Sequence, residues 1–454
     1  MRDERNPRAD EFIGTICIEH ERIVASDSEI LTVSDVSVDA RNQAVLGHSP
    51  AVLRRVGSPR ISYVTPFWGD CSDSASGIRS QHVERALRAT GTVDVVAVES
   101  YAQLADKDRV NVASVLRVHS TADRGVAGKI DRIFNPRARY PHGVAVGSDN
   151  LETVLRGLEA SDLVWFFKLR TANMFPRWAW ARSVVDIDDI PSKFEESVML
   201  AEPSTLRRVT PAMRVWSWKR RERLLAQRFT VLAVCSHSDR EHLHQIGVDA
   251  PIHVIPNGFD RPTRTPARQL THPPRVGFIG VFDHLPNVAG IHWFAREVWP
   301  KIKREVPDAR LRVIGRLSDG PSKPSGADID ALGWVADPTD EMATWSAMVV
   351  PVRIGAGTRG KIAHAFSQRC PVVSTTLGAY GYGSENGDDM LIADTADTFA
   401  AACLRTIRDP QAAGAMAERA WQQFLQKWTW DAIRPQIWAA VDDCLRAGRD
   451  RAAQ

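Results

Sequence analysis

Residues 351–373 read PVRIGAGTRGKIAHAFSQRCPVV, and this stretch decides the fold. The apolar, β-branched run at 347–352 that leads into it is typical of a buried strand. Thr358 is placed to cap a helix that begins near Arg359. Between them, three glycines predict a turn whose backbone can approach a ligand closely: Gly355, Gly357 and Gly360. The stretch therefore predicts a strand, a glycine-rich turn, a helix and the next strand.

Two cations, Arg359 and Lys361, fall in the first turn of this predicted helix. Cations are unfavourable there, because the helix dipole prefers negative charge at its N-terminus. A bound anion would relieve the conflict, and free backbone N–H groups, the dipole and two cations together suit a phosphate. The alternative is an ordinary strand–turn–helix whose basic residues face solvent, since glycine turns alone are weak signals.

The segment RIGAGTRGKIAHAF, followed by CPVVSTTLGAYGYG, resembles the donor site of family 4 glycosyltransferases, which are retaining enzymes of the GT-B fold. The likeness is to the branch with a glycine-rich GGGTRLKILEA site. Ala356 and His364 stand where many family members carry the two glutamates of Glu-x7-Glu. The resemblance implies that the second position binds the ribose hydroxyls of a nucleotide. Histidine can both donate and accept hydrogen bonds, so His364 is expected to take that role.

The composition favours a large cytoplasmic protein. A chain of 454 residues suggests roughly three domains, or two lobes plus an extension, and its hydrophobic fraction of 44% suffices for buried cores. The net charge of +3 gives no argument for nucleic acid as a partner. The six cysteines form no CxxC pair, which argues against zinc ribbons and redox motifs. The N-terminus lacks the apolar region of a signal peptide, and no apolar run has the ~20 residues of a membrane helix.

Alternating strand and helix patterns predict an α/β protein with two doubly wound Rossmann-like lobes. The resemblance implies that these lobes have the GT-B arrangement, in which they face each other across a cleft. The run IPNGFD at 255–260 resembles the IPNGVD element of the family's lobe junction. The boundaries expected from this pattern are as follows: an N-terminal extension of unknown role at 1–58, an acceptor-side lobe at 59–260 completed by a C-terminal helix at 428–446, a linker at 261–274 and a donor-binding lobe at 275–427.

Candidate acceptor-side residues lie where elements of the first lobe meet the predicted cleft. Gly77 and Arg79 occupy the turn before a helix expected at 80–90, where either a cleft loop or a plain helix entry is possible. Lys168 and Arg170 follow the carboxyl end of a predicted buried strand, where ligands of open α/β sheets bind. Asp188 belongs to SVVDIDDI at 183–190, in which Asp186-x-Asp188 closes a predicted strand and matches a metal motif of the other large glycosyltransferase fold. A structural or acceptor-side role is favoured for it over metal binding.

The resemblance also implies the donor-lobe site. Arg359 and Lys361 are the expected catalytic residues. No metal is expected, because these two cations and the helix end would neutralise the diphosphate. No cofactor is expected either, and the substrate is a nucleoside-diphosphate sugar such as a UDP- or GDP-sugar. The donor-binding candidates share the cleft-facing ends of the predicted second-lobe strands: Gly280, Phe282, Arg316, Trp334, Val335, Arg353, Gly355, Ala356, Gly357, Thr358 and His364.

The resemblance implies transfer of a sugar to a glycan, lipid-linked or small-molecule acceptor in polysaccharide or glycoconjugate biosynthesis. A nucleotide-sugar epimerase of the same fold, and a degenerate lobe pair that binds without turnover, remain alternatives. A helix over 210–229 is basic and carries an aromatic residue on its polar side, which would suit the inner face of an anionic membrane. The residues involved are Trp216, Lys219, Arg220 and Arg223. A packed helix with a solvated basic face is the other interpretation.

Overall fold

The computed structural model describes residues 58–67, 75–99, 113–120, 125–138, 144–147, 150–264 and 267–452. Most of the predicted extension at 1–58 therefore lies outside the described residues. Short β-branched and aromatic runs become strands in two separate sheets, and the helical segments between them cover both faces of each sheet. The prediction of two doubly wound α/β lobes is confirmed.

The first lobe contains an eight-stranded sheet in the order β4-β3-β2-β1-β5-β6-β7-β8. Among the described strands of this sheet, only β4 runs antiparallel to its neighbour β3. The strands are β1 Arg60–Thr65, β2 Thr92–Glu99, β3 Ser114–Ser120, β4 Val144–Gly147, β5 Leu163–Phe167, β6 Ser183–Asp186, β7 Val231–Val234 and β8 Ile252–Val254.

The helices of the first lobe pack on both faces of this sheet, which is why β5 and β7 are apolar throughout. They are α1 Ala75–Arg88, α2 Gly125–Phe134, α3 Leu151–Ala160, α4 Leu169–Asn173, α5 Pro191–Ala201, α6 Val209–Glu222, α7 Leu225–Arg228 and α8 His237–Gln245. The C-terminal helix α15, Trp430–Ala452, also belongs to this lobe in space. Its residues Trp430, Ile433 and Val441 lie in one core with Ile61 and Tyr63 of β1.

The second lobe contains a six-stranded parallel sheet in the order β11-β10-β9-β12-β13-β14. Its strands are β9 Arg275–Ile279, β10 Arg310–Ile314, β11 Ile329–Ala331, β12 Trp345–Val350, β13 Val372–Ser374 and β14 Leu391–Ile392. Its helices are α9 Leu285–Trp293, α10 Trp299–Glu305, α11 Thr339–Ala343, α12 Gly360–Ser367, α13 Ala396–Arg408 and α14 Pro410–Gln423, with π-helical turns at Phe294–Val298 and Phe424–Trp428.

Strand β11 ends at Ala331, and Gly333 just beyond it adopts a positive φ of 69° that a strand does not accommodate. One local prediction differs from the structure. The helix expected at 80–90 begins earlier, at Ala75, so Gly77 and Arg79 lie inside helix α1 rather than in a turn before it.

The carboxyl ends of both parallel sheets meet at one cleft. Helix α12 begins at Gly360, and a Cβ atom at that position would lie 3.7 Å from the Cβ of Ala75, the first residue of α1. The start of a second-lobe helix thus faces the start of a first-lobe helix. Ligands of open α/β sheets bind outside these strand ends, so this cleft is the place to look for a site.

Candidate functional site

The glycine-rich loop between β12 and α12 has the backbone that its sequence predicts. Gly355 and Gly357 have positive φ angles of 132° and 72°, which side chains with a Cβ rarely adopt. Space also excludes a side chain at Gly357, because its Cβ would lie 1.9 Å from the Asp189 Oδ1 of the first lobe. The loop therefore brings bare backbone against the opposite wall of the cleft.

The start of helix α12 is held differently from the prediction. Its N-cap residue is Arg359 rather than Thr358, and neither side chain makes a capping hydrogen bond. The Thr358 hydroxyl is buried, and the described part of the chain gives it no hydrogen-bond partner. Instead, the Tyr382 hydroxyl accepts a hydrogen bond from the Ala363 N–H (3.1 Å) and donates one to the Arg359 carbonyl (2.8 Å).

Arg359 is partly buried at this helix start and is incompletely hydrogen-bonded. Its Nη1 donates to the Ala356 carbonyl, but Nε and Nη2 have no partner among the described atoms. No carboxylate oxygen of the described residues lies within 4.0 Å of it. Burial lowers the Arg359 pKa, and the Asp189 carboxylate is the main group that opposes this shift. Buried N–H groups are normally satisfied, so two unsatisfied ones at a cleft indicate a place for an acceptor.

Lys361 lies one residue into α12, between an amide and an aromatic ring. Its Nζ donates to the Asn287 Oδ1 (2.8 Å) and lies 4.3 Å from the centre of the Phe278 ring. Burial, with the nearby Arg359 charge as a second cause, lowers the Lys361 pKa to about 7. The amine is therefore poised to gain a proton when an anion arrives.

His364 lies in the same helix and stacks on Phe259 of the lobe junction, with ring centroids 4.3 Å apart and planes 14° apart. Burial lowers the His364 pKa to about 4, although Asp337 opposes this shift. The imidazole is consequently neutral near pH 7, with one donor and one acceptor nitrogen. That is the form that can hydrogen-bond a hydroxyl in both directions.

The first-lobe wall of the cleft carries an ion pair between two predicted residues. Lys168 Nζ lies 3.2 Å from the Asp188 Oδ2, which also accepts a hydrogen bond from the Ser76 hydroxyl (3.2 Å). Burial alone would raise the Asp188 pKa, but the Lys168 and Arg79 charges hold it well below its usual range. Both Lys168 and Asp188 have positive φ angles, 69° and 59°, so strained backbone follows β5 and β6 at the cleft.

Asp189 is the first-lobe carboxylate next to the glycine loop, and sequence reasoning missed it. The signal was present, because Asp189 ends the DIDD run after β6. Its side chain is exposed, yet desolvation by the surrounding protein, followed by the neighbouring Asp188 charge, raises its pKa to about 7. A carboxyl group with this pKa can hold or release a proton near neutral pH.

Arg79 does not reach the cleft, so its predicted contact with an acceptor is wrong. The side chain is fully buried. Its Nε and Nη2 donate to the two Asp186 oxygens (3.0 and 2.9 Å), and Nη1 donates to the Ile255 and Pro256 carbonyls (2.8 and 3.0 Å). Arg79 thus ties α1 to β6 and to the lobe junction. Gly77 is likewise buried within α1, and Arg170 is partly buried on α4.

The Asp-x-Asp residues are engaged in these internal contacts, Asp186 with Arg79 and Asp188 with Lys168. Within the described ranges, no cluster of three or more His, Cys, Asp or Glu side chains is arranged to hold a metal ion.

The remaining donor-site candidates differ in burial and in the residues they contact. Phe282 is a core residue, 3% exposed, so the prediction that it contacts a donor is wrong. Arg353 packs its guanidinium 4.8 Å from the Trp293 ring centre, and Arg316 pairs with Asp283 (2.9 Å). Trp334 is exposed, whereas its neighbour Val335 packs against the second-lobe core. Gly280 lies beneath Asn287, since a Cβ there would approach the amide to 2.9 Å.

A second group that sequence reasoning missed joins the two lobes. The Gly355 N–H donates to the Ser197 hydroxyl of α5 (2.7 Å). The Tyr380 hydroxyl donates to the Asp239 Oδ1 of α8 (2.7 Å) and accepts a hydrogen bond from Lys193. Pairs separated by more than a hundred residues leave no local sequence pattern, so only the structure reveals them.

Comparison with known structures identifies the architecture. Sucrose-phosphate synthase from Thermosynechococcus elongatus is similar over 84% of this chain and 98% of its own, with a TM-score of 0.57 and 14% identity. HepE of Anabaena, solved in complex with UDP-glucose, covers 85% of this chain and 99% of its own, with a TM-score of 0.55 and 15% identity. The fold is GT-B. TarM of S. aureus has the same GT-B arrangement over 85% of this chain and all of its own, at a TM-score of 0.58 and 11% identity.

Sequence comparisons concern the second lobe of this GT-B protein. Residues 273–409, which include the glycine loop and α12, match the family model described as "Glycosyl transferases group 1". A curated relative, described as an uncharacterized 44.6 kDa protein in the cps region of Klebsiella pneumoniae, is 30% identical over 139 residues. That match covers 28% of this chain, and the chain spans about a third (36%) of the relative's length.

Proposed function

We propose that this protein is a retaining glycosyltransferase that moves a sugar from a nucleoside-diphosphate sugar to a glycan, lipid-linked or small-molecule acceptor. The observation that carries the proposal is the start of helix α12. There, Arg359 has two buried N–H groups without partners, and Lys361 has a lowered pKa, beside a glycine loop that faces the other lobe. The match of residues 273–409 to a glycosyltransferase family model supports it, as does the UDP-glucose bound to HepE, a protein of the same fold.

The chemistry needs charge stabilisation at the leaving group. When the bond between the anomeric carbon and the diphosphate breaks, positive charge develops on the sugar and negative charge grows on the phosphate oxygens. Arg359, Lys361 and the first N–H groups of α12 are placed to hold that negative charge. Because these groups are fixed before the reaction begins, little reorganisation is needed. Lys361 would be fully protonated once the diphosphate is bound.

The first lobe would supply the acceptor side. Asp189 is the carboxylate nearest to the glycine loop, and it can accept a hydrogen bond from an acceptor hydroxyl. Its neighbour Asp188 is held ionised and fixed by Lys168 and Ser76, so it orients the strand end rather than exchanging protons. In the second lobe, neutral His364 would bind the ribose hydroxyls in place of the family's glutamate. Retention of configuration follows from the family resemblance, and the cps-region relative favours polysaccharide biosynthesis.

A GT-B protein that binds a sugar nucleotide without turnover is the second candidate. It is favoured by Ala356 and His364, which occupy the positions where many relatives carry glutamates. The two candidates differ in chemistry rather than in binding, so turnover must be measured together with affinity.

The test is to incubate the full chain with a panel of UDP- and GDP-sugars and candidate acceptors. We expect one donor to give turnover, and NMR of the product to show the anomeric configuration of the donor. Binding of UDP or GDP with no turnover of any donor would favour the binder. An inverted product would contradict the retaining assignment alone.

Arg359→Ala sharpens the test, because a charge-assisted contact to phosphate contributes about 1.5–3 kcal/mol. Calorimetry should therefore show diphosphate affinity falling at least about tenfold. Affinity for the bare nucleoside should be unchanged, because the nucleoside carries no phosphate. Turnover should fall further than affinity, since leaving-group charge increases in the transition state. Arg408→Ala is the matched control, because Arg408 is an exposed arginine at the end of α13 and pairs with Glu305 of α10. Equal losses for nucleoside and diphosphate would show that the phosphate assignment is wrong.

A further inference from the structure

Helix α2 of the first lobe turns its apolar side outward. Val126, Ile130 and Phe134 stand at spacings of four residues, on one face of the helix, and they are 73%, 54% and 55% exposed. An amphipathic helix of a globular protein normally buries this face against the core. In the part of the chain that the structure describes, this face is not packed into the core, and more than half of each of the three side chains is exposed.

Helix α6 presents a second exposed apolar face beside the first. Val209, Met213 and Trp216 follow a helical spacing and are 56%, 39% and 45% exposed. The Phe134 and Trp216 rings meet edge to face, with centroids 5.9 Å apart. Arg220 strengthens the junction, because its Nη1 donates to the Phe134 carbonyl (2.9 Å). The two faces therefore form one surface, the apolar platform: Val126, Ile130, Phe134, Val209, Met213 and Trp216.

Two further apolar side chains extend from the same region. Leu206, in the turn before α6, is 87% exposed, and Leu200, at the end of α5, is 67% exposed. Most single exposed leucines need no explanation, but exposed apolar residues concentrated on neighbouring helices mark an interaction surface.

The charge around the platform is strongly positive. Residues 207–223 contain six arginines and one lysine against a single glutamate. Arg207 and Arg208 are exposed immediately before α6, and Arg223 is exposed at its other end. Lys219 and Arg214 lie only 3.6 and 3.8 Å from Glu196 and Glu195, so they are neutralised in part. Apolar residues with a basic border match the chemistry of an anionic lipid surface.

We propose that the apolar platform and its basic border dock the first lobe onto an anionic lipid bilayer. Apolar side chains would enter the interface, the Trp216 ring would lie at headgroup level, and the arginines would contact lipid phosphates. Attachment is peripheral, since no described helix combines the length and apolar character needed to cross a bilayer. A second copy of the chain fits less well, because a two-fold contact would bring like-charged borders together. The proposal is independent of the proposed glycosyl transfer and would hold for a binder as well.

The test is vesicle flotation of the full chain, with neutral phosphatidylcholine vesicles and with vesicles that also contain phosphatidylglycerol. We expect binding to the anionic vesicles at low salt, at least tenfold weaker binding to the neutral ones, and loss of most binding in high salt. Ile130→Gln combined with Met213→Gln should weaken binding at least fivefold. Arg207→Gln combined with Arg208→Gln should weaken it about thirtyfold, from the contribution expected of each basic residue near a charged surface.

Matched controls lie away from the platform. Leu270→Gln removes an exposed apolar residue of the linker, and Arg408→Gln removes an exposed arginine of the second lobe; neither should change flotation. Circular dichroism and affinity for UDP or GDP confirm that each variant is folded. Absence of flotation on anionic vesicles at low salt overturns the proposal. Vesicle binding that the platform variants leave unchanged also overturns it. A dimer in solution that these variants abolish overturns it as well, because it would identify a second copy of the chain as the occupant of the platform. Flotation needs no sugar nucleotide, so its failure leaves the proposed transfer intact.

Discussion

The cations at the carboxyl ends of the two sheets differ in whether they have a carboxylate partner. At the first-lobe edge, Arg79 and Lys168 each contact a carboxylate, Asp186 at 2.9 Å and Asp188 at 3.2 Å. At the second-lobe edge, neither Arg359 nor Lys361 has a carboxylate oxygen of the described residues within 4.0 Å. Both edges carry two cations that are at least partly buried, so composition alone does not distinguish them.

Under the proposed function, this difference separates cations that stabilise the fold from cations that bind the diphosphate. A buried ion pair with additional hydrogen bonds is complete within the protein, and removing one partner leaves an uncompensated charge. A buried cation without an anion is costly to the folded state, and its pKa falls, as those of Arg359 and Lys361 do. A protein can retain this cost in stability when the anion that pairs with the cation is part of its substrate.

The largest expected effect is on stability. Arg79→Met should destabilise the protein by about 3–5 kcal/mol, because it leaves the fully buried Asp186 carboxylate without its partner. Arg359→Met should leave the free energy of unfolding unchanged or raise it, because it removes a partly buried charge that has no carboxylate oxygen within 4.0 Å. Urea unfolding of both variants, followed by circular dichroism, makes the comparison directly.

The double variant Arg79→Met with Asp186→Leu is the control. Replacing both members of a buried pair by apolar groups is often neutral, so it should recover much of the loss caused by Arg79→Met alone. If Arg79→Met cost less than about 1 kcal/mol, or if Arg359→Met were the more damaging of the two, the distinction between the two edges would fail.

The sequence predicted the second-lobe edge better than the first, for a physical reason. The strand, the glycine turn and the helix at 351–373 are neighbours in the chain, and their backbone geometry follows from local residue types. Arg79 and Asp186 are separated by 107 positions, and the Gly355–Ser197 contact by 158. No periodicity records such pairings, so Arg79 was predicted to face an acceptor when it is fully buried.

Some local predictions failed as well, because a distant group supplied the interaction. Thr358 has the chemistry of an N-cap, but the Tyr382 hydroxyl holds the start of α12 instead. Phe282 follows a strand end, where a ligand contact was expected, yet it packs edge to face against Phe278 in the core, with ring centroids 6.1 Å apart. Spacing along the chain places a residue near the cleft, whereas packing decides which way its side chain turns.

A smaller effect concerns the proton that Lys361 gains. Its pKa is about 7 in the free protein, and a bound diphosphate should raise it. Above pH 7 the free amine is mostly neutral, so binding should take up a proton, and affinity should fall as the pH rises from 7 to 9. Below pH 6 the amine is already charged, and no uptake is expected from it.

Calorimetry in buffers of different ionisation enthalpy measures this proton directly. A sugar nucleotide is the suitable ligand, because its phosphates are diesters and do not titrate near neutral pH. Lys361→Arg should abolish the Lys361 share of the uptake, since arginine stays charged. Asp189 also has a pKa of about 7, and a bound anion beside it would raise that pKa, so this carboxyl group is a second possible source of proton uptake. Asp189→Asn removes that source and leaves the uptake by Lys361. Uptake that neither substitution changes would show that these groups do not face the diphosphate.

The smallest expected effect is that of metal removal. At the first-lobe edge, Asp186 and Asp188 already accept hydrogen bonds from Arg79 and Ser76, and each is paired with a cation. At the second-lobe edge, Arg359, Lys361 and the α12 N–H groups can neutralise a diphosphate themselves. We therefore expect the affinity for UDP or GDP, and the turnover of the active donor, to change less than about twofold when EDTA replaces magnesium. Loss of turnover in EDTA that magnesium or manganese restores would mean that these cations are insufficient. The two edges would then have to share the diphosphate through a metal, bound by Asp189 or by Asp188 released from Lys168 and Ser76.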